Sequence, residues 1–193
     1  MPVYKQCRTE QSAQRQRELE QGLLKTMLKK QFEEISVSDL CAEIGVPRKS
    51  FYRYFSGKEG ALFALIDHAL MDFDSYSVVE NITELQEAQK YMERVFRYWI
   101  SCKPLLDALE HSGLSGMLVQ RAINYSREMQ TLPSFLLAAD RRLQDYGSMF
   151  TVCGLMTILV QWHHDGFVPG VEQMSGLVIR LMSEPLFSPA EEK

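Results

Sequence analysis

Arg48, Lys49, Arg53 and Lys58 fall within eleven residues of a chain whose net charge is −4. Phe51, Tyr52, Tyr54 and Phe55 are interleaved with them, and no acid appears in "GVPRKSFYRYFSGKEGALF" before Glu59. On a helix, Arg48, Lys49, Tyr52 and Arg53 share one face at i, i+1, i+4 and i+5, while Phe51 and Phe55 share the opposite one. Arg and Lys on a free face can read guanine O6 and N7 in a major groove. The Ser50, Tyr52 and Tyr54 hydroxyls and the Lys58 ammonium are groups that hold phosphate oxygens. Ser36 adds a helix N-terminus, where free amides attract anions. The plainer alternative is a solvated cationic face on an exposed helix, packed around an aromatic core.

Other reactive residues are less suggestive. His163, His164 and Asp165 are consecutive, and helical neighbours point about 100° apart, so both imidazoles cannot easily share one ion. A helix-end role, imidazolium near a C-terminal dipole, fits better. Cys7, Cys41, Cys102 and Cys153 are widely spaced, without a C-x-x-C pair. Isolated reduced thiols are expected, not a zinc site or disulfide framework. No Gly-rich phosphate loop and no G-x-S-x-G appears, so an enzyme is disfavoured, and neither cofactor nor metal is expected.

Length and composition set the frame. The chain has 193 residues, 46 % hydrophobic and 24 % charged, in the range of a folded protein. Residues 1–60 carry +3 and residues 61–193 carry −7. A basic head on an acidic body suggests that the head alone meets a polyanion. The N-terminus has no apolar signal-like core, and the greasiest run, 149–162, falls short of the roughly 20 residues of a membrane span. A cytoplasmic protein with no membrane partner is expected.

These residues need elements to hold them, and the periodicity is helical throughout. The spacing predicts a first helix from Ser12 to Phe32, a short one from Val37 to Ile44 capped by Ser36, and a turn at Gly45. Pro47 then opens a second short helix, Arg48 to Phe55. Leu40, Ile44, Val46, Phe51 and Phe55 face inward, and Cys41 marks a close crossing. A longer helix spans Lys58 to Asp74. Beyond it, Leu85, Ala88, Met92, Val95, Phe96 and Trp99 keep helical spacing, and helices follow at 104–112, 114–130, 135–165 and 171–183. The expectation is an all-α fold of about nine helices: an N-terminal three-helix bundle with a helix-turn-helix over 1–57, and a larger helical domain over 58–193.

The stretch "ISVSDLCAEIGVPRKSFYRYFSGKEGALFALI" resembles the DNA-binding domain of TetR-type transcriptional regulators, over roughly residues 12–70. The shared pattern is an N-capped helix, Gly-Val at the turn, a Tyr-x-x-Phe recognition helix and Lys-Glu at the next helix start. The resemblance implies backbone contacts from Ser50, Tyr52, Tyr54 and Lys58 and base contacts from Arg48 and Lys49. Pro47 and Lys49-Ser50 depart from the commoner Ser/Thr and Gly-Thr. The segment "FTVCGLMTILVQWHHDGFVPGVEQMSGLVIRLM" is more weakly similar to one TetR branch, which includes regulators of dihydroxyacetone kinase operons.

For the body, the resemblance implies dimerisation and a small-molecule effector. Sequence supplies its own reason for a homodimer. Val152, Leu155, Met156 and Leu159, with Val171, Met174, Leu177, Val178 and Leu181, make two helices too apolar for one side of a monomer; central packing inside the monomer is the alternative. Candidate pocket residues are Met92, Phe96, Trp99, His111, Met117, Arg121 and Tyr125, with ordinary core packing as the competing reading. The expected function is a homodimeric repressor on a palindromic operator in double-stranded DNA, released by an unidentified effector. A ligand-independent or protein-partnered regulator of the coactivator type is the second reading.

Overall fold

The computed structural model describes residues 3–76, 84–129 and 141–183. Among them are nine α-helices and one 3-10 turn. In order these are α1 (Glu10–Met27), the 3-10 turn (Phe32–Glu34), α2 (Val37–Glu43), α3 (Arg48–Phe51), α4 (Lys58–Tyr76), α5 (Leu85–Ser101), α6 (Lys103–His111), α7 (Ser115–Met129), α8 (Arg141–His164) and α9 (Val171–Ser183). The expected all-α architecture is present. Residues 135–140 of the expected 135–165 helix lie outside the described residues.

Two boundaries move, each for a local reason. The first helix stops at Met27, not Phe32. The amides of Lys29 and Lys30 both donate to the Thr26 carbonyl, which closes the helix, and the Gln31 amide turns to the Glu34 carboxylate at 3.3 Å. Phe32 thereby enters the 3-10 turn and is buried. The helix begun at Arg48 ends at Phe51. The amides of Tyr54 and Phe55 both converge on the Phe51 carbonyl, at 3.0 and 3.1 Å, so the chain tightens into a turn.

Heptad-like spacing on α1 puts Leu19, Leu23 and Met27 inside, where they meet Leu40 and Cys41 of α2, Phe51 of α3 and Leu62 and Ile66 of α4, all essentially buried. Gly22 faces α2 so closely that a Cβ there would lie 2.4 Å from Ile44 Cγ2. That missing side chain sets how deep α2 can sit against α1. Helix α4 belongs to both halves, because the same buried cluster continues through Leu70 to α5, α7, α8 and α9.

In the second half α5 is the centre. Met92, Phe96 and Trp99 are fully buried, and the Phe96 ring meets Trp162 of α8 edge-on at 5.0 Å. Helix α9 lies on α5, and α7 lies on α8. This corrects part of the dimer expectation. Val152, Met156, Leu159, Met174 and Val178 are buried within the single chain. Leu155 and Val171 are half-buried, and only Leu177 and Leu181 of the expected set remain open, at 46 % and 43 % exposed. The apolar helices are too greasy for a surface because they build the monomer's own core. A tight loop with cis Val168–Pro169 joins α8 to α9, and the Trp162 indole donates to the Pro169 carbonyl at 2.7 Å.

Candidate nucleic-acid interface

The basic stretch is held by a short chain of local decisions. Ser36 caps α2, its hydroxyl accepting the Asp39 amide at 3.1 Å and donating to the Asp39 carboxylate at 2.7 Å. Gly45 takes φ +68, the left-handed region that costs a Cβ-bearing residue most, and reverses the chain. The Val46 amide returns to the Cys41 carbonyl at 2.9 Å, locking the turn. Pro47 stands just before α3, and its carbonyl accepts the Ser50 amide at 2.8 Å.

This geometry sorts the side chains as their spacing predicts. Phe51 and Phe55 are buried, at 0 % and 2 % exposed, with ring centroids 5.1 Å apart. Arg48, Lys49 and Arg53 are exposed, and Tyr52 is 47 % exposed. The Arg48 guanidinium lies 5.9 Å from the centre of the Tyr52 ring, so the two share a face. Ser50 is half-buried beside them. The result is a short cationic ridge with an aromatic hydroxyl at its edge.

Three expected members are differently employed. The Tyr54 ring is buried, 7 % exposed, and belongs to the core, not to the open face. Lys58 turns inward: its ammonium donates to the carbonyls of Phe32 and Glu33, at 2.7 and 3.1 Å, and lies 4.6 Å from the Phe32 ring centre. It closes the C-terminal end of the 3-10 turn. Ser36 is exposed, but its hydroxyl already serves Asp39, whose carboxylate adds negative charge at that helix end.

The N-terminal segment is the part that spacing does not reveal. Its Val3 carbonyl accepts from both the amide and the hydroxyl of Ser56, at 3.1 and 2.9 Å, and the Lys5 amide donates to the Tyr54 carbonyl at 2.8 Å. It crosses α4 at Gly60, where a Cβ would stand 2.3 Å from the Val3 carbonyl oxygen. Tyr4 then donates its hydroxyl to Asp67 at 2.6 Å, and Asp67 pairs in two places with Arg121 of α7. Burial raises the Tyr4 phenol, and the Asp67 carboxylate adds to this. The weak signal in the sequence is Gly60, a glycine inside an otherwise regular helix.

The expected pocket is largely redistributed. Arg121 is spent on Asp67. His111 is exposed at the end of α6, and Met117 packs half-buried against the core. Met92 and Phe96 are buried in that core. Trp99 and Tyr125 line a cavity, together with Val152, Leu155 and Met156, residues that helical spacing places equally well on a dimer face. The histidine pair joins α8 to α6. His163 is buried with Nε2 2.8 Å from Asp107 and Nδ1 3.2 Å from Glu110, and His164 Nδ1 lies 2.6 Å from Glu110. Among the described residues no group of three or more His, Cys, Asp or Glu is arranged to hold a metal ion. No described helix is long and apolar enough to cross a membrane.

Known proteins bear on this geometry at two scales. Residues 24–65 match the family of bacterial regulatory proteins of the tetR type. A 55-residue stretch is 47 % identical to the HTH-type transcriptional regulator EthR of Mycolicibacterium smegmatis, covering 28 % of this chain and 24 % of that protein. The match thus spans about a quarter of the curated relative. Over the whole chain, the solved structure of the dihydroxyacetone kinase operon activator DhaS is similar, with TM-score 0.54 and 14 % identity, covering 87 % of this chain and 93 % of that one. That likeness shows a shared fold. Together the matches support a transcriptional regulator of the TetR family, with its helix-turn-helix at the N-terminus.

Proposed function

We propose that the protein is a homodimeric DNA-binding regulator that holds a palindromic operator through the ridge of Arg48, Lys49, Tyr52 and Arg53 and is released by a small-molecule effector. The observation that carries the reading is this ridge itself. Arg48, Lys49 and Arg53 are exposed on the side of α3 opposite the buried Phe51, so the fold spends its aromatic side on packing and leaves its cationic side bare. A solvated face would need no glycine-locked turn and no second helix braced behind it.

The proposed division places the DNA-binding head at 1–57 and the dimerising, effector-binding body at 58–193, with α4 shared between them. Dimerisation falls to the outer side of α8 and α9. Phe150 is 74 % exposed, Leu177 46 % and Leu181 43 %, and Gly154 and Gly176 have open space where a Cβ would stand. Apolar side chains left open beside small residues suit a second copy. A role on the genome places the protein in the cytoplasm, and no catalytic activity is proposed.

The test is selection of bound fragments from genomic DNA, followed by binding to the recovered site. A palindrome with half-sites about one helical turn apart is expected, since two symmetric heads bind adjacent major grooves. Arg48→Ala should relax base preference at one position of each half-site. Lys49→Ala and Arg53→Ala should weaken binding, with the salt slope falling by about 0.9 for each phosphate no longer neutralised. Recovery of no enriched site, or loss of specific and nonspecific binding alike in all three variants, would defeat the reading.

A further inference from the structure

Helices α4, α5, α7 and α8 enclose a cavity of about 70 Å³. Its walls are mainly apolar, with Leu70, Phe73, Val95, Ala122, Val152 and Met156 among them. The polar groups on those walls are nearly all engaged. The Ser126 hydroxyl donates to the Ile123 carbonyl at 3.0 Å. Tyr125 is hydrogen-bonded to Asp74, and burial together with that carboxylate raises its phenol. Tyr91 also has a partner.

The Trp99 indole does not. Trp99 is fully buried, and its Nε1 has no hydrogen-bond partner. Among the described residues, it is the one cavity-lining side chain with a buried polar atom left unpaired. The chain's other tryptophan shows how this fold treats an indole when nothing else is required of it. Trp162 is equally buried, and its Nε1 donates to the Pro169 carbonyl. A buried donor without a partner is a standing cost, and natural folds rarely keep one.

We infer that the cavity takes a small uncharged molecule with an apolar body and one hydrogen-bond acceptor, a carbonyl, ether or hydroxyl oxygen, which pairs with Trp99 Nε1. The inference rests on the proposed reading of the body as an effector-binding domain and specifies the chemistry of that effector. An indole N–H only donates, so the ligand must accept. An ammonium would leave Trp99 unpaired. An anion would enter an apolar chamber that already holds the Asp74 carboxylate. Size narrows the class further. The cavity is about half of the ~150 Å³ that holds benzene in a well-studied engineered protein, so the buried part of the ligand is on the order of four to six heavy atoms.

The two-tryptophan composition makes the test direct. With ¹⁵N-labelled tryptophan the protein gives two indole N–H signals, assigned with Trp99→Phe. Cyclopentanone and methylenecyclopentane are titrated in parallel; they share shape and differ in the acceptor. Saturable binding of the ketone, with a downfield shift of the Trp99 signal and none at Trp162, is expected. The hydrocarbon should bind up to about tenfold more weakly without that shift, which is the size of one neutral hydrogen bond. Trp99→Phe should bring the ketone's affinity down to the hydrocarbon's. Equal saturation by both probes, saturation by neither, or a Trp99 signal already at a bonded position in the free protein overturns the inference. Operator binding is measured on the same samples. Intact DNA binding without ketone binding removes the ligand class and leaves the regulator. Ketone binding without any effect on DNA removes effector control and leaves the site.

Discussion

Replacing Lys58 by Met separates two roles that the sequence alone runs together. The substitution keeps the apolar stem and removes the ammonium. Two charge-assisted hydrogen bonds go with it, to the carbonyls of Phe32 and Glu33 at 2.7 and 3.1 Å, as does the approach to the Phe32 ring at 4.6 Å. A hydrogen bond to a charged group contributes about 1.5–3 kcal/mol, and an exposed cation–π interaction about 0.5–1 kcal/mol. The Glu33 carbonyl bond is exposed, and water will replace much of it, whereas the Phe32 carbonyl bond is partly buried. The net loss is then about 2 kcal/mol, which for a chain of this length lowers Tm by roughly 4–8 °C. Thermal and urea unfolding measure this directly. The salt slope of nonspecific DNA binding should stay as it is, because Lys58 holds no phosphate. Lys49→Met is the control: exposed and on the ridge, it should lower the slope by about 0.9 per protomer and leave Tm unmoved. Stability unchanged in Lys58→Met with a slope reduced by that amount would refute the argument and return Lys58 to the phosphate backbone.

Leu177→Glu, at 46 % exposed, should leave the fold intact and shift the protein toward monomer in sedimentation, whereas Leu159→Glu, at 1 % exposed, should unfold it by burying a charge. A folded dimer in both would remove α9 from the interface. Gly22→Ala forces a Cβ to within 2.4 Å of Ile44 Cγ2 and should destabilise by about 1–3 kcal/mol despite alanine's better helix propensity. In an Ile44→Ala background the same change should become neutral or stabilising, and equal effects in both backgrounds would show that the close approach is unimportant. The α6–α8 joint should weaken toward alkaline pH. The hydrogen bond to Glu110, then its charge, raises the His164 pKa. A group whose folded value is raised stabilises fully below its unfolded value, about 6.5, and loses that contribution as pH climbs through the higher folded value. His163 faces the same carboxylate, with Asp107 on its other nitrogen. The Tm gap between wild type and Glu110→Gln should be widest near pH 6 and close as pH rises past the histidine range; a gap independent of pH would contradict this.

What could be read from the sequence was what depends on near neighbours. Ser36, Gly45 and Pro47 set the helix-turn-helix within a dozen residues, and the face of Arg48, Lys49, Tyr52 and Arg53 follows from helical spacing alone. Tyr54 and Lys58 escape that logic because their positions are decided elsewhere. The backbone that clamps Tyr54 comes from residues 3–5, and the carbonyls that hold Lys58 lie 25 and 26 residues upstream. Arg121 reads as a pocket cation, but Asp67, 54 residues away, takes it. The apolar stripes of α8 and α9 show a different kind of blindness. Periodicity reports that a face must be covered, but it carries no information on whether the cover is the same chain or another. Val152 and Met156 therefore read as interface, whereas in the fold they line a cavity.

Tyr4 connects these remote effects into one testable path. Its segment brackets the end of the recognition turn through Val3, Lys5 and Ser56, and its hydroxyl reaches Asp67 of α4. Asp67 is bound by Arg121 of α7, whose next residues toward the C-terminus, Ala122, Tyr125 and Ser126, line the cavity. A ligand that shifts α7 must therefore either carry Asp67 and Tyr4 with it or break a largely buried pair, and both outcomes are felt at the turn. Tyr4→Phe cuts this path by one hydroxyl while keeping the ring. Under the proposed effector control, operator affinity of the free protein should change little, and the ratio of affinities with and without ligand should shrink severalfold. Coupling is reciprocal, so operator DNA should lose the same factor in its effect on ligand binding. Titration calorimetry of each partner in the presence of the other measures both factors. If Tyr4→Phe leaves them equal to wild type, the signal runs through the direct packing of α6 on α1, where Ser112 accepts the Phe32 amide at 3.0 Å, and the N-terminal segment only fastens the head.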